Sequence, residues 1–508
     1  MPAEFDSAHL KIAAFLFLSL NFLFLLTSSG RVRSMDEVTL AFEVESVASH
    51  ASTAIPAAVS QNLFYGKYDR FARPQGPYGL GNVLLVLPWY WLGKATSHIA
   101  PGIPPNRTTL FTDAFTVASS AAFSALAATF AFLIFVRIGV RTTTAVAAAL
   151  ILALATPLFS YSSWFYSEPL AAALLLGATL FLVADNADQP MTTKNAILAA
   201  LFLGVLLWVR ATHVIAIPIF LAAVLLRGPR RNWSAFATTA ATIGLFGLAY
   251  LARNKYLFGN PFDFGYPEFG EGGKRMLGFD TPLLTGLKIF LFSPGKSMLL
   301  FAPPLLLAIP GIVRLAKRNR SLAVIAGGIP LVSLLFFSCY SHVEGSYSYG
   351  PRYLVPAIAV ASLGLGPAIA SAGPWIRRIA LVLFLAGVGI QAIGMATSFI
   401  EDMATGAYYD ANWSYRPDYS PVPRMSRQLY NYVVSPAPAP LGRGFDRWFV
   451  FLAKAGISRG TIASGLAFEL AGLVFFGWKL KEAMAHRLNQ GPPVKTPEEA
   501  LSSVGYCS

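Results

Sequence analysis

Long stretches without a charged side chain alternate with short polar joints along this chain. They run Ile12–Gly30, Ala114–Val136, Thr142–Ser167, Pro169–Ala184, Asn195–Val209, Ala211–Arg227, Asn232–Ala252, Ser297–Val313, Ser321–Ser341, Tyr353–Ile376 and Ile379–Ile400. A last stretch, Gly460–Trp478, is interrupted by Glu469. About 20 apolar residues cross the hydrocarbon of a bilayer as a helix. The pattern therefore predicts an all-α polytopic membrane protein with about 12 transmembrane helices. The region 195–227 reads either as one long tilted helix or as two short ones broken around Arg210. Ile12–Gly30 is long for the core of a signal peptide, and no small-residue cleavage pattern follows it, so it reads as an uncleaved first span.

The polar joints set the orientation. With a cytoplasmic N-terminus, the cytoplasmic joints hold Arg137 and Arg141, Lys194, the group Arg227, Arg230 and Arg231, the group Arg314 to Arg320, the pair Arg377 and Arg378, and Lys479 to Arg487. That is the bias expected of cytoplasmic loops. Three long segments then face outward: 31–113, 253–296 and 401–459. Within the first, "NVLLVLPWYWLG" predicts a short interfacial helix with Trp89 and Trp91 at headgroup depth. The expected organisation is a membrane module over 1–400 containing the first outer loop at 31–113, an outer loop segment over 401–459, and a last span with a cytoplasmic tail over 460–508. The localisation that follows is the cytoplasmic (inner) membrane, with the long loops on the periplasmic or extracellular side.

Composition agrees. Of 508 residues, 55% are hydrophobic and 13% charged, against about 25% charged in soluble domains. The net charge of +14 is accounted for by the joints and excludes a nucleic-acid role. Two cysteines, Cys339 and Cys507, cannot build a disulfide or metal-ligand framework. The outer loops also carry cations, among them Arg31, Arg33, Lys67, Arg73, Arg107, Arg253, Lys274 and Arg275. Such a vestibule suits an anionic lipid or phosphate, or else its charges are balanced by outer Asp and Glu.

Several residues could carry chemistry, and each has a structural alternative. Ser34-Met35-Asp36-Glu37 fits a capping box just past the first span, so its acids are either first-turn dipole partners or a catalytic base. Glu168 in "WFYSEPL" either anchors a loop cation or binds a polar substrate. Arg210, in "LLWVRATHVIAIP" with His213, either grips a phosphate as a fork or snorkels to the interface. Lys296 in "SPGKS" either completes an anion site at a helix start or marks that start. "SHVEGSYSYGPRYLVP" gathers His342, Glu344, Tyr347, Tyr349, Arg352 and Tyr353, as a binding site or as an interfacial belt. Glu469 is either paired inside the last span or part of a proton path. Asn106 and Asn412 begin glycosylation sequons by pattern only.

A first span followed at once by Asp-Glu, then "RPQGPYGLG…LPWYWLGK" and "PNRTTLFTDAF" before the second span, resembles the membrane-embedded GT-C glycosyltransferases. The likeness is to the bacterial relatives of the protein O-mannosyltransferases and of the lipid A aminoarabinose transferase. "YSEPLAAALLL", "SPGKSMLLFAPPLLLAIPG" and "YGPRYLVPA" are similar to segments of that group, and the N-terminal 230 residues carry the likeness best. Where the family has His-Pro-Pro in the first loop, this chain has Gly76-Pro77-Tyr78, and no large soluble outer domain follows the spans.

The resemblance implies transfer of a sugar from a polyprenyl-phosphate donor to a glycan, lipid or protein acceptor at the outer face of the membrane. Asp36 would be the general base, with Glu37 orienting it or closing the cap. Arg352, Arg210, Lys296 and Arg107 would receive the departing phosphate. Glu168, His342, Tyr349 and Tyr353 would contact substrate. The family leaves room for a carboxylate-bound divalent ion, and the sequence names none. Two alternatives are a flippase for lipid-linked saccharide, which should show internal repeats and midplane polar residues, and a glycan polymerase or ligase, in which the 401–459 segment would matter more than Asp36.

Overall fold

The computed structural model describes residues 6–185, 189–228, 231–268, 275–345, 348–400, 420–434 and 444–489. Arg230, Lys274, Tyr347, Asn412 and positions 401–419 and 435–443 of the 401–459 segment lie outside these described residues.

Among the described residues, seven helices are long and apolar enough to cross a membrane, and five further apolar helices are shorter. At the centre stands Thr108–Arg137, packed against the helices Ser7–Thr27, Leu80–Ile99, Thr142–Leu154 and Glu168–Leu182. Its Ala121, Ser124, Ala125 and Ala128 are fully buried. Small side chains at such contacts let helix backbones approach closely where hydrophobicity gives no preference for protein over lipid. The first helix, Ser7–Thr27, lies along the last, Arg459–Asn489. Arg487 pairs with Asp6 at 3.1 Å, so both helices have these ends on the same side of the membrane.

Several apolar runs are interrupted where backbone chemistry demands it. The run 142–167 yields a helix only to Leu154, because Thr156-Pro157 restarts the chain as a short turn of helix, Pro157–Tyr161. The 195–227 region is two helices, Thr193–Val209 and Ala216–Leu225, separated by extended backbone at Arg210 and a 3-10 turn. The run 297–313 is not one span. Pro303-Pro304 divides it into Met298–Phe301 and Leu305–Arg318. A helix at Leu283–Phe292 was hidden from the charge-free pattern by Lys288. The expected short interfacial helix is instead twenty residues long, Leu80–Ile99, with Trp89 edge-on to Phe123 of the central helix.

On the side reached by the C-terminal end of Ser7–Thr27, the chain builds a small outer layer. It contains Met35–His50 and a two-residue antiparallel ribbon in which Lys67 pairs with Gln75. Gly30 makes the first turn out of the membrane at φ +63, and a Cβ there would lie 2.3 Å from the Cβ of Trp448. The following Arg31 and Arg33 both bind Asp446, Arg31 at 2.8 Å. This clamps the first loop to the C-terminal third.

Candidate functional site

The sequence places the capping box, and the structure builds it. Ser34 Oγ accepts from the Glu37 backbone N–H, and Glu37 Oε2 accepts from the backbone N–H of Ser34 at 2.9 Å. The remaining capacity of Glu37 goes to Arg33 Nη2 at 3.2 Å and the backbone N–H of Phe165 at 2.9 Å. Fully buried and fully engaged, Glu37 closes the cap and ties the first loop to the 160s. Of the two roles read for Glu37 in the sequence, the geometry described is that of closing the cap.

With Glu37 turned inward, Asp36 faces the opposite way. Five segment ends meet around it: the heads of Met35–His50, Glu168–Leu182 and the Arg352–Ala370 span, the tail of Thr193–Val209, and the loop at Tyr78. Arg352 Nη1 donates to Asp36. Arg352 Nε donates to Glu168 Oε1 at 2.8 Å, and Arg210 Nη1 donates to the same oxygen at 2.6 Å. The result is a chain Asp36–Arg352–Glu168–Arg210. The Arg352 guanidinium lies 4.0 Å above the Tyr166 ring, and that of Arg210 lies 5.2 Å from the Tyr353 ring. Glu168 and Arg352 are buried, whereas Asp36 and Arg210 keep 27% and 17% of their side chains exposed. The cluster therefore opens outward at its acid and at one of its cations.

Burial alone would raise the Asp36 pKa, but Arg352, a hydrogen bond from Tyr78 and the charge of Arg210 outweigh it and hold the carboxyl below its ordinary value. Tyr78 also donates its backbone N–H to Glu43. Glu43 stands seven residues after Asp36, two turns along the same face of Met35–His50. It is buried, with burial pushing its pKa up to about 8 against the weaker pull of Arg253 and the Tyr78 N–H. A Cβ at Gly76 would fall 2.0 Å from Glu43 Oε1. Gly76-Pro77-Tyr78 thus fits the space between the two acids. Tyr65, Tyr266 and Tyr340 complete the surround within electrostatic range of Asp36. Sequence reasoning passed over Glu43, Tyr65, Tyr78 and Tyr266. The seven-residue spacing from Asp36 was the signal available for Glu43; the tyrosines lie in loops without periodicity.

The other sequence candidates divide. Tyr353 stacks on Phe337 at 4.9 Å and lines the cluster, and His342 lies beside Tyr340 with ring centres 6.2 Å apart. Glu168 bridges the two arginines. Tyr349 is wholly buried against Phe301 and donates its hydroxyl to the Ile390 carbonyl at 2.6 Å, so it is a packing residue. Lys296 is 1% exposed, and its ammonium donates to Ser348 O at 2.7 Å and Oγ at 3.0 Å. Burial pulls its pKa down to about 7, and Arg352 adds to this against the opposing Glu344. It fastens the loop preceding Arg352 instead of facing an open site. Arg107 ends a 3-10 turn whose neighbours Ile103 and Leu110 pack on Phe451 and Leu452, apart from the Asp36 cluster. Glu469 accepts from the Trp448 indole at 3.1 Å, the paired alternative.

A divalent ion does not fit this site. Asp36 is met by a guanidinium rather than by a second carboxylate, and among the described residues no three His, Cys, Asp or Glu converge as ligands.

No protein-family model matches the chain, and no curated protein does. Solved structures do. ArnT from Cupriavidus metallidurans in the apo state superposes with a TM-score of 0.51 at 14% identity, covering 95% of this chain and 78% of that one. The Archaeoglobus fulgidus oligosaccharyltransferase tethered with an acceptor peptide gives 0.47 at 14% identity, with 76% and 54% covered. The archaeal oligosaccharyltransferase AglB from A. fulgidus, in complex with an inhibitory peptide and a dolichol-phosphate, gives 0.46 at 13%, with 85% and 60% covered. This chain spans somewhat over half of each archaeal chain. Its fold is similar to that of ArnT.

Proposed function

We propose that this protein is a glycosyltransferase that moves a sugar from a polyprenyl-phosphate donor to an acceptor hydroxyl on the outer face of the cytoplasmic membrane. The observation that carries the reading is the open end of the ionic chain. One ionised acid and two guanidinium groups meet where four helix ends and the Tyr78 loop converge, beside the first span of a GT-C fold.

Arg352 binds Asp36. A donor phosphate entering beside Arg210 and Arg352 competes for those forks, since guanidinium matches phosphate oxygens as it does carboxylate. Asp36 is thereby released to accept the acceptor hydroxyl's proton. The acceptor oxygen bonds to the anomeric carbon, the bond from that carbon to the phosphate oxygen breaks, and its electron pair leaves with the polyprenyl phosphate. The extra charge on the phosphate falls on the two arginines, which Glu168 holds in position before the reaction starts. Tyr78, which donates a hydrogen bond to Asp36, gives the site a polar aromatic edge.

Cationic joints at the opposite end of the bundle support a cytoplasmic position for that end. The test is transfer from a panel of radiolabelled polyprenyl-phosphate sugars by purified protein. Asp36→Asn should abolish product while leaving donor binding intact, and Arg352→Lys should weaken donor binding. Full activity in Asp36→Asn would remove Asp36 as the base. Donor neither bound nor consumed across the panel would remove the reaction.

A further inference from the structure

At the far end of the same helices lies a second site. The segment Glu168–Leu182 runs from the Asp36 cluster to a cavity of 520 Å³ whose wall includes Val183 and Asp185. At 1.5 Å per residue that helix separates the two by about 22 Å. The span beginning at Arg352 likewise ends at this cavity, at Ala370 and Ser371. The two sites therefore open toward opposite faces of the membrane.

The cavity is strongly cationic. Arg137, Arg227, Arg314, Lys317 and Arg318 line it, against Asp185 as the only carboxylate among its described lining residues. Arg137 and Arg227 are 7% and 3% exposed. Each is tethered to a carbonyl at the end of Glu168–Leu182: Arg137 Nε donates to Val183 O at 3.1 Å, and Arg227 Nη2 donates to Asp185 O at 2.6 Å. Cytoplasmic-end cations ordinarily snorkel into water. Two arginines built into a cavity wall, with three more cations at its rim, make a concave positive site instead, and guanidinium forks suit phosphate oxygens.

The rim also says how a ligand arrives. On Leu305–Arg318, Leu306, Ile309 and Val313 are 49%, 59% and 58% exposed. Their spacing is that of one helix face, and the same face continues to Lys317. An apolar stripe open to the bilayer thus leads into the cationic cavity. We infer that this cavity binds the phosphate headgroup of a membrane lipid, with the acyl chain lying along the Leu306–Val313 stripe. The inference does not depend on the reaction proposed at Asp36.

The test uses the full-length protein purified in detergent, with native mass spectrometry reading retention of phosphatidic acid against phosphatidylcholine. The variant is Arg314→Gln/Lys317→Gln/Arg318→Gln, whose residues lie at the half-buried and exposed rim. Lys479→Gln/Lys481→Gln, on the last helix, is the control. Each cation near an anionic lipid headgroup is worth roughly fivefold in affinity, so the triple variant should lose about a hundredfold of the phosphatidic acid preference at low salt. The control should keep it. Equal loss in the control, or no preference in the unaltered protein, would overturn the inference. So would stabilisation by inorganic phosphate without retention of phosphatidic acid, which would make the ligand a soluble phosphate.

Discussion

Glu43 offers a quantitative test of the outer layer. In Glu43→Gln the side chain keeps its size and still accepts the Tyr78 N–H, but cannot ionise. The carboxyl has an ordinary pKa of 4.5 and is held at about 8 in the folded protein, burial being the main cause. Its folded value is raised, so the folded state keeps a proton that the unfolded chain releases. The unfolded chain then binds fewer protons, and stability falls as pH rises from about 4.5 to about 8. At 1.36 kcal/mol per pH unit, the full loss across that window is about 5 kcal/mol. With about 2.1 cal/mol/K of unfolding entropy per residue, 508 residues give about 1 kcal/mol/K, so the loss amounts to about 5 °C in Tm. The assay is thermal unfolding in detergent at half-unit steps from pH 5 to 9, for the unaltered protein and Glu43→Gln side by side. The difference curve should rise in favour of the glutamine variant with increasing pH and level off above 8. Parallel curves would show that Glu43 ionises normally and that its burial between Gly76 and Tyr78 is misjudged.

Other expectations follow from the same geometry. Asp446→Asn leaves Arg31 and Arg33 without their shared carboxylate, and removing one partner of a buried pair costs about 3–5 kcal/mol; a lowered Tm and proteolysis within 31–34 would report it. Gly30→Ala meets both a left-handed backbone and the Trp448 Cβ at 2.3 Å, and should cost about 2 kcal/mol by thermal unfolding. Tyr349→Phe loses the hydrogen bond to Ile390, about 1 kcal/mol of stability, and should leave donor affinity unchanged in a binding titration. Because Asp36 in the free protein is held below the ordinary carboxylate range, kcat/KM for transfer, which reports free-enzyme groups, should persist on acidification to pH 5, and a loss with midpoint near 6 would assign the base elsewhere.

The charge-free runs located most membrane helices because a helix in lipid must be apolar over its whole length. They failed where proline intervenes, at Thr156-Pro157 and Pro303-Pro304, since a run of apolar letters carries no sign of a missing backbone donor. Asp36, Arg352 and Arg210 were legible as polar residues at the ends of apolar runs. Their meeting was not, because it joins positions 36, 168, 210 and 352 through tertiary packing alone. Lys296 and Tyr349 show what a sequence leaves out. Both lie within the right neighbourhood of the chain, yet the fold spends their polar atoms on Ser348 and Ile390. Charge in the sequence does not say whether a group faces the substrate or another part of the protein.

The pairing of the first helix with the last has a temporal consequence. Ser7–Thr27 emerges from the ribosome early, but its partner Arg459–Asn489 emerges only after some 430 further residues. At about 5–20 residues per second, the opening segment waits roughly 20–90 s for the surface that covers it. During that interval the greasy flank of Ser7–Thr27 has lipid or a chaperone for company, until a helix made some 430 residues later docks on it.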